Sequence, residues 1–148
     1  MHNIYEPPVS HLDDAHNASI SLYRVSGIGV ATFFGSVLAG GFIMYLNFKR
    51  LGLENKAKNC ILYSTIATVL IFGIIYLIPE DINIPNAAFT FPQLIAMVQI
   101  AKNQQGALID GHLNSGGAIS SNWKAFGISL LFLVIIMAII FGIAFIFV

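Results

Sequence analysis

The chain has 148 residues, of which 57% are apolar and only 9% charged, and its mean hydropathy is +0.80. A soluble globular domain carries about 25% charged residues, so this composition belongs to an integral membrane protein. Seven Lys+Arg balance seven Asp+Glu, which leaves no basic surplus for nucleic acid. The single cysteine, Cys60, excludes a disulfide framework and a multi-cysteine metal site.

In chain order, residues 1–24 contain His2, Glu6, Pro7, Pro8, His11, Asp13, Asp14 and His16 but no basic residue before Arg24. They lack the basic n-region and adjacent apolar core of a cleaved signal peptide, so the expectation is a flexible tail followed by an uncleaved anchor. Asn17-Ala18-Ser19 fits the glycosylation pattern. The spacing of His11 and His16 puts them on different helical faces, and no metal site is expected.

Residues 25–48 carry no charge over 24 positions. As one helix they would extend about 36 Å at ~1.5 Å per residue, enough to cross a ~30 Å hydrocarbon core. Within them Ala31, Gly35 and Ala39 recur at i, i+4 and i+8, with Ser36 and Gly40 on an adjoining face. Small residues in register let helices approach closely, which is the main attraction available in lipid. The pattern predicts packing against other spans or against a second copy of the chain.

Lys49, Arg50, Lys56 and Lys58 crowd the next loop and form a basic anchor. Residues 60–78 make a second span, and 125–148, uncharged with Ser129 the only side-chain hydroxyl, a last one. The intervening segment 82–101 is uncharged but includes Asn83, Asn86, Gln93, Gln99, Pro85 and Pro92, so hydropathy leaves it open. The positive-inside rule favours its crossing: four spans put six basic residues in the cytoplasm against Arg24 outside, three spans four against three. The expected fold is therefore an all-α integral membrane bundle of four transmembrane helices with the N-terminus outside. The alternative is three spans plus an interfacial or re-entrant helix over 82–115.

Beyond Lys102, Ile109 and Leu113 extend an apolar stripe, Gly116-Gly117 stop the helix, and Ser120, Ser121 and Asn122 are candidate caps for the next. Gln105, Asp110, His112, Trp123 and Lys124 are the side chains here best suited to a partner or a lipid headgroup. No His-Glu-x-x-His, Gly-x-Ser-x-Gly, Walker or Gly-x-Gly-x-x-Gly motif suits catalysis or nucleotide binding, and Cys60 has no base at a useful spacing. The expected spans carry no Asp, Glu, Lys, Arg or His, which argues against proton-coupled transport.

Three stretches together resemble a group of small uncharacterised multi-pass bacterial inner-membrane proteins: Tyr5-x-Pro7-Pro8, Leu46-Asn47-Phe48-Lys49-Arg50-Leu51-Gly52, and Gln105-Gly106 through His112, Gly116-Gly117, Ser121 and Trp123 to Gly127. The resemblance implies four helices in a bacterial inner membrane and brings no activity or cofactor with it. The functional expectation is a non-enzymatic structural or partner-binding protein acting through cytoplasmic loops. Its partners are the lipid bilayer and a further membrane protein or a second copy. The alternative is a small oligomeric channel or facilitator for an uncharged solute.

Overall fold

The computed structural model describes residues 20–79 and 81–147, so His2, His11, His16, Tyr5-x-Pro7-Pro8 and Asn17-Ala18-Ser19 lie outside the described residues. The apolar runs are helical: α1 (Val25–Arg50), α2 (Glu54–Leu77), α3 (Ala87–Asn114) and α4 (Asn122–Phe147). A helix pairs its backbone N–H and C=O groups within the segment, as an apolar environment demands. By length and composition Val25–Arg50, Glu54–Leu77 and Asn122–Ile146 each suffice to cross a membrane.

The first of these is nevertheless not a rod. Gly35 (φ −120°, ψ 16°) and Ser36 (φ 71°, ψ 179°) leave helical geometry, and the chain reverses. Tyr23 and Asn47 would stand about 36 Å apart along a straight helix at ~1.5 Å per residue, yet the Tyr23 amide donates to Asn47 Oδ1 at 2.8 Å. Residues 25–34 and 37–50 are thus two antiparallel arms of a hairpin with its tip at Gly35-Ser36. This corrects the expectation of a single crossing over 25–48. The physical reason lies in the small residues: a side chain on Gly40 would collide with Thr32 of the opposite arm, so only glycine there lets the arms close.

The hairpin is the core of the molecule. Ile28, Ala31, Ala39, Ile43, Met44 and Phe48 on its two arms are fully buried. Helices α2, α3 and α4 each pack on α1 and make only isolated contacts with one another. Gly41 faces Ser64 of α2, Gly29 faces Val98 of α3, and a Cβ on Gly35 would stand 2.7 Å from the Ser129 carbonyl of α4. The tip therefore lies level with Ser129, and α4 runs on for a further ~27 Å at ~1.5 Å per residue.

Two three-residue strands, β1 (Ser21–Tyr23) and β2 (Ala118–Ser120), pair in parallel with Ser21 opposite Ala118 and Tyr23 opposite Ser120. The tail assigned to 1–24 thus ends in an ordered strand, with Leu22 fully buried. The helix expected over 82–101 begins later, at Ala87, and continues through Pro92 to Asn114. Residues 82–86 are non-helical, consistent with the restrictions of Pro85 on its neighbours.

Both polar turns end in the same way. The Leu53 amide bonds to the Phe48 carbonyl and the Gly52 amide to that of Lys49. Gly117 and Gly116 repeat this with His112 and Leu113. Gly52 (φ 71°) and Gly116 (φ 78°) supply the left-handed residue that this double closure requires. Ser121 caps α4, its Oγ accepting the Trp123 amide at 3.2 Å.

Candidate functional site

The polar side chains gather where the hairpin's feet meet the strand pair. Asn47, on the last turns of the second arm, uses its amide as a third strand would: Oδ1 accepts from the Tyr23 amide and Nδ2 donates to the Tyr23 carbonyl, both at 2.8 Å. Nδ2 also donates to Gln105 Oε1 at 2.9 Å, and Gln105 Nε2 donates to the Met44 carbonyl at 2.8 Å. Asn47 and Gln105 are both fully buried. One amide pair thereby ties β1, the second hairpin arm and α3 together.

Arg50 continues the lattice. Its Nη1 donates to the Ser21 carbonyl and reaches Ser120 Oγ at 3.5 Å. Its guanidinium lies 5.2 Å from the centre of the Tyr23 ring. The hydroxyls of Ser21 and Ser120 are 2.8 Å apart. His112 Nε2 lies 3.2 Å from the Ala118 carbonyl, and a side chain on Gly117 would strike the imidazole. No buried side-chain polar atom among the described residues lacks a hydrogen-bond partner, so the lattice is fully satisfied and rigid.

These placements sort the residues singled out in the sequence. Gln105 and His112, expected to meet a partner, are instead buried and committed to internal hydrogen bonds, Gln105 with Asn47 and the Met44 carbonyl and His112 with the ribbon carbonyl of Ala118. Asp110, Trp123 and Lys124 are exposed, Trp123 at 79% of its surface. Of the basic anchor, Lys49, Lys56 and Lys58 are exposed and Arg50 is half-buried in the lattice. Lys49 Nζ stands 5.8 Å from the Tyr45 ring centre.

Ala31, Gly35, Ala39 and Gly40 are buried inside the hairpin and against α3 and α4, while Ser36 makes the turn. Their surfaces are consumed within one chain and are not available to a second copy. Asn47 stands out in the sequence only as a polar residue near the end of an uncharged run, within the Leu46–Gly52 stretch; no local signal marks its pairing with Tyr23 and Gln105.

Because the hairpin returns, its two feet share an end. Arg24, Lys49, Arg50, Lys56, Lys58 and Lys124 flank the feet, and Lys102 lies beside the stem between Met97, which faces Gly40, and Gln105. All seven basic residues of the chain thus lie on the hairpin's half of the molecule, and six of them are exposed. The strand before Arg24 and the 49–58 loop, expected at opposite ends of a span, instead meet where Arg50 bonds the Ser21 carbonyl.

The opposite half holds a chamber of about 750 Å³ above the hairpin tip. Its floor is Thr32 to Ser36, its walls come from α2, α3 and α4, and Ile78, Pro79, Ile82, Ile84 and Asn86 line its mouth. No group of three or more metal-ligating side chains is found among the described residues. Comparison with protein-family models, with curated proteins and with solved structures gave no match.

Proposed function

We propose that this chain is a non-enzymatic multi-pass protein of a bacterial inner membrane that docks an acidic partner protein on its basic half. In this reading α2, α3 and α4 cross the bilayer and α1 enters and leaves on one side as a re-entrant hairpin. The observation that carries it is the closure of Tyr23 on Asn47, which brings every Lys and Arg to one half. A basic end belongs in the cytoplasm; the N-terminal strand, touching Arg50, goes with it.

Anionic headgroups ask only for positive charge near the surface, at about 1 kcal/mol per Lys or Arg. Here a buried amide pair, a guanidinium and an imidazole hold a two-stranded ribbon in one shape, which favours recognition of a shaped partner. Preorganisation of this kind lowers the ordering cost of binding. A catalytic reading has little support, since the Cys60 thiol is directed at the Gly41 carbonyl 3.6 Å away and no base activates it.

Passage of an uncharged solute is the second reading, supported by the hydroxyl and amide groups of the chamber. The closed hairpin stem, with Ile28, Ala39, Ile43 and Met44 fully buried, weighs against a through-path.

The test is co-purification from membranes with Lys49→Glu, Lys56→Glu and Lys58→Glu combined. The expected result is at least a tenfold loss of the co-purifying protein with an unchanged melting temperature. Unchanged recovery rejects the reading. Loss of anionic lipid alone reassigns the face to headgroups.

A further inference from the structure

The chamber above the hairpin tip is built from four helices, lined by the second half of α2, the first turns of α3 and residues 133–140 of α4. Among its lining residues there is no Asp, Glu, Lys, Arg or His. Four phenylalanines line it, Phe33 and Phe34 in the floor and Phe72 and Phe89 in the walls. Its hydroxyls are already committed: Thr32 donates to the Ile28 carbonyl at 2.9 Å, Thr68 to that of Ser64 at 2.8 Å and Thr90 to that of Asn86 at 3.1 Å. Ser36 Oγ accepts the Leu38 amide at 3.3 Å.

Gln93 is different. It is half-buried, lines the chamber one turn before Met97, which faces Gly40, and its amide takes no hydrogen bond from the described residues. A carboxamide in an apolar, charge-free chamber is matched by one uncharged polar group on a ligand, because a charged group there would remain unpaired. The position of Gln93 near the floor puts that group deep, beside the rings, with the apolar remainder directed to the mouth. The chamber volume falls within the ~300–1,000 Å³ of small-molecule sites. The gaps between α2, α3 and α4 allow sideways entry from surrounding hydrocarbon.

We propose that the chamber binds an uncharged ring lipid bearing a carbonyl, of the prenyl-quinone class, with Gln93 Nε2 donating to the ring carbonyl and the phenyl rings around the ring face. A glycerolipid fits less well: its ester carbonyls sit next to the headgroup, so its hydrocarbon would lie against Gln93 and leave the amide unsatisfied. The proposal is independent of the partner-docking reading, since the two concern opposite halves of the molecule.

The full chain in phosphatidylcholine nanodiscs tests it. Trp123→Phe removes the only tryptophan, and Phe72→Trp places a reporter in the wall. Titration with a decyl-benzoquinone should quench it saturably at one ligand per chain, and Gln93→Leu should weaken this at least tenfold. Gln99→Leu, at an exposed amide bonded to Asn103 at 3.2 Å, should leave it unchanged. Quenching that rises linearly with quinone content, or equally in Gln93→Leu, overturns the proposal. So does retention by the purified chain, in native mass spectrometry, of a phospholipid that the quinone fails to displace. Circular dichroism melting of Gln93→Leu against wild type separates loss of binding from loss of fold: a variant that melts normally and binds normally also overturns it.

Discussion

Asn47 serves Tyr23 as a neighbouring β-strand would, giving and taking one hydrogen bond at 2.8 Å each across 24 residues of sequence. Loss of that side chain strands two buried backbone groups and the Gln105 carbonyl oxygen at once. Unsatisfied buried groups cost about 1–3 kcal/mol each. Asn47→Leu is therefore expected to lower stability by about 3 kcal/mol or more, read as the shift of the melting transition in detergent. In a cycle with Gln105→Leu the double variant should be less destabilised than the sum of the singles, by about 0.5–3 kcal/mol. Strict additivity would dissolve the amide pair as a unit.

Ser36 holds a backbone conformation (φ 71°, ψ 179°) that L-residues seldom adopt, at a cost of about 1–3 kcal/mol. Its hydroxyl repays part of this through the Leu38 amide. Ser36→Gly should relieve the strain and raise the melting temperature, whereas Ser36→Ala keeps the strain, loses the cap and should lower it. The reverse order would argue against the reversal at this residue.

Gly41 and Gly73 make a matched pair. A Cβ on Gly41 meets the Ser64 side chain of α2, while one on Gly73 meets nothing within 4 Å. Gly41→Ala should destabilise by about 1–3 kcal/mol through overpacking, and Gly73→Ala should be neutral or slightly stabilising, because alanine is the better helix former by ~1 kcal/mol. Equal effects on thermal aggregation would contradict the close approach of α1 and α2.

Topology is measured by thiol accessibility in a Cys60→Ser background. Cysteines replacing Arg24, Asn55 and Ser115 should all be shielded from a membrane-impermeant reagent in intact cells, and one replacing Asp81 should react. Reaction at Arg24 as well as Asp81, with Asn55 and Ser115 still shielded, would restore a straight first span and reject the re-entrant hairpin.

Much of this architecture was legible in the sequence. Charge-free runs marked where helices lie, Gly116-Gly117 and Ser121 marked an end and a start, and the small residues of 25–48 marked close packing. What they packed against was not legible. Ala31, Gly35 and Ala39 share one face of an ideal helix, and hydropathy sees 24 uncharged residues as one rod, because the break at Gly35-Ser36 involves residues that helices in lipid ordinarily tolerate. The decisive interactions are long-range: Asn47 with Tyr23, Asn47 with Gln105, Ser21 with Ser120. None has a periodic signature, so Gln105 and His112 read as surface groups when their partners were Asn47 and the Met44 carbonyl of the hairpin for the one and the Ala118 carbonyl of the ribbon for the other.

The Asn47–Gln105 hydrogen bond spans 58 residues and the Ser21–Ser120 pair 99, which sets an order of events during synthesis. At ~5–20 residues per second, the hairpin waits about 3–12 s after Asn47 is made before Gln105 can lock it, and longer still before β2 completes the ribbon. Over that interval residues 25–48 are an unpartnered apolar segment with the length of a full crossing. If the chain is inserted as proposed, its first segment would be free to thread straight through the bilayer, and the re-entrant arrangement would depend on the later helices capturing it before it does.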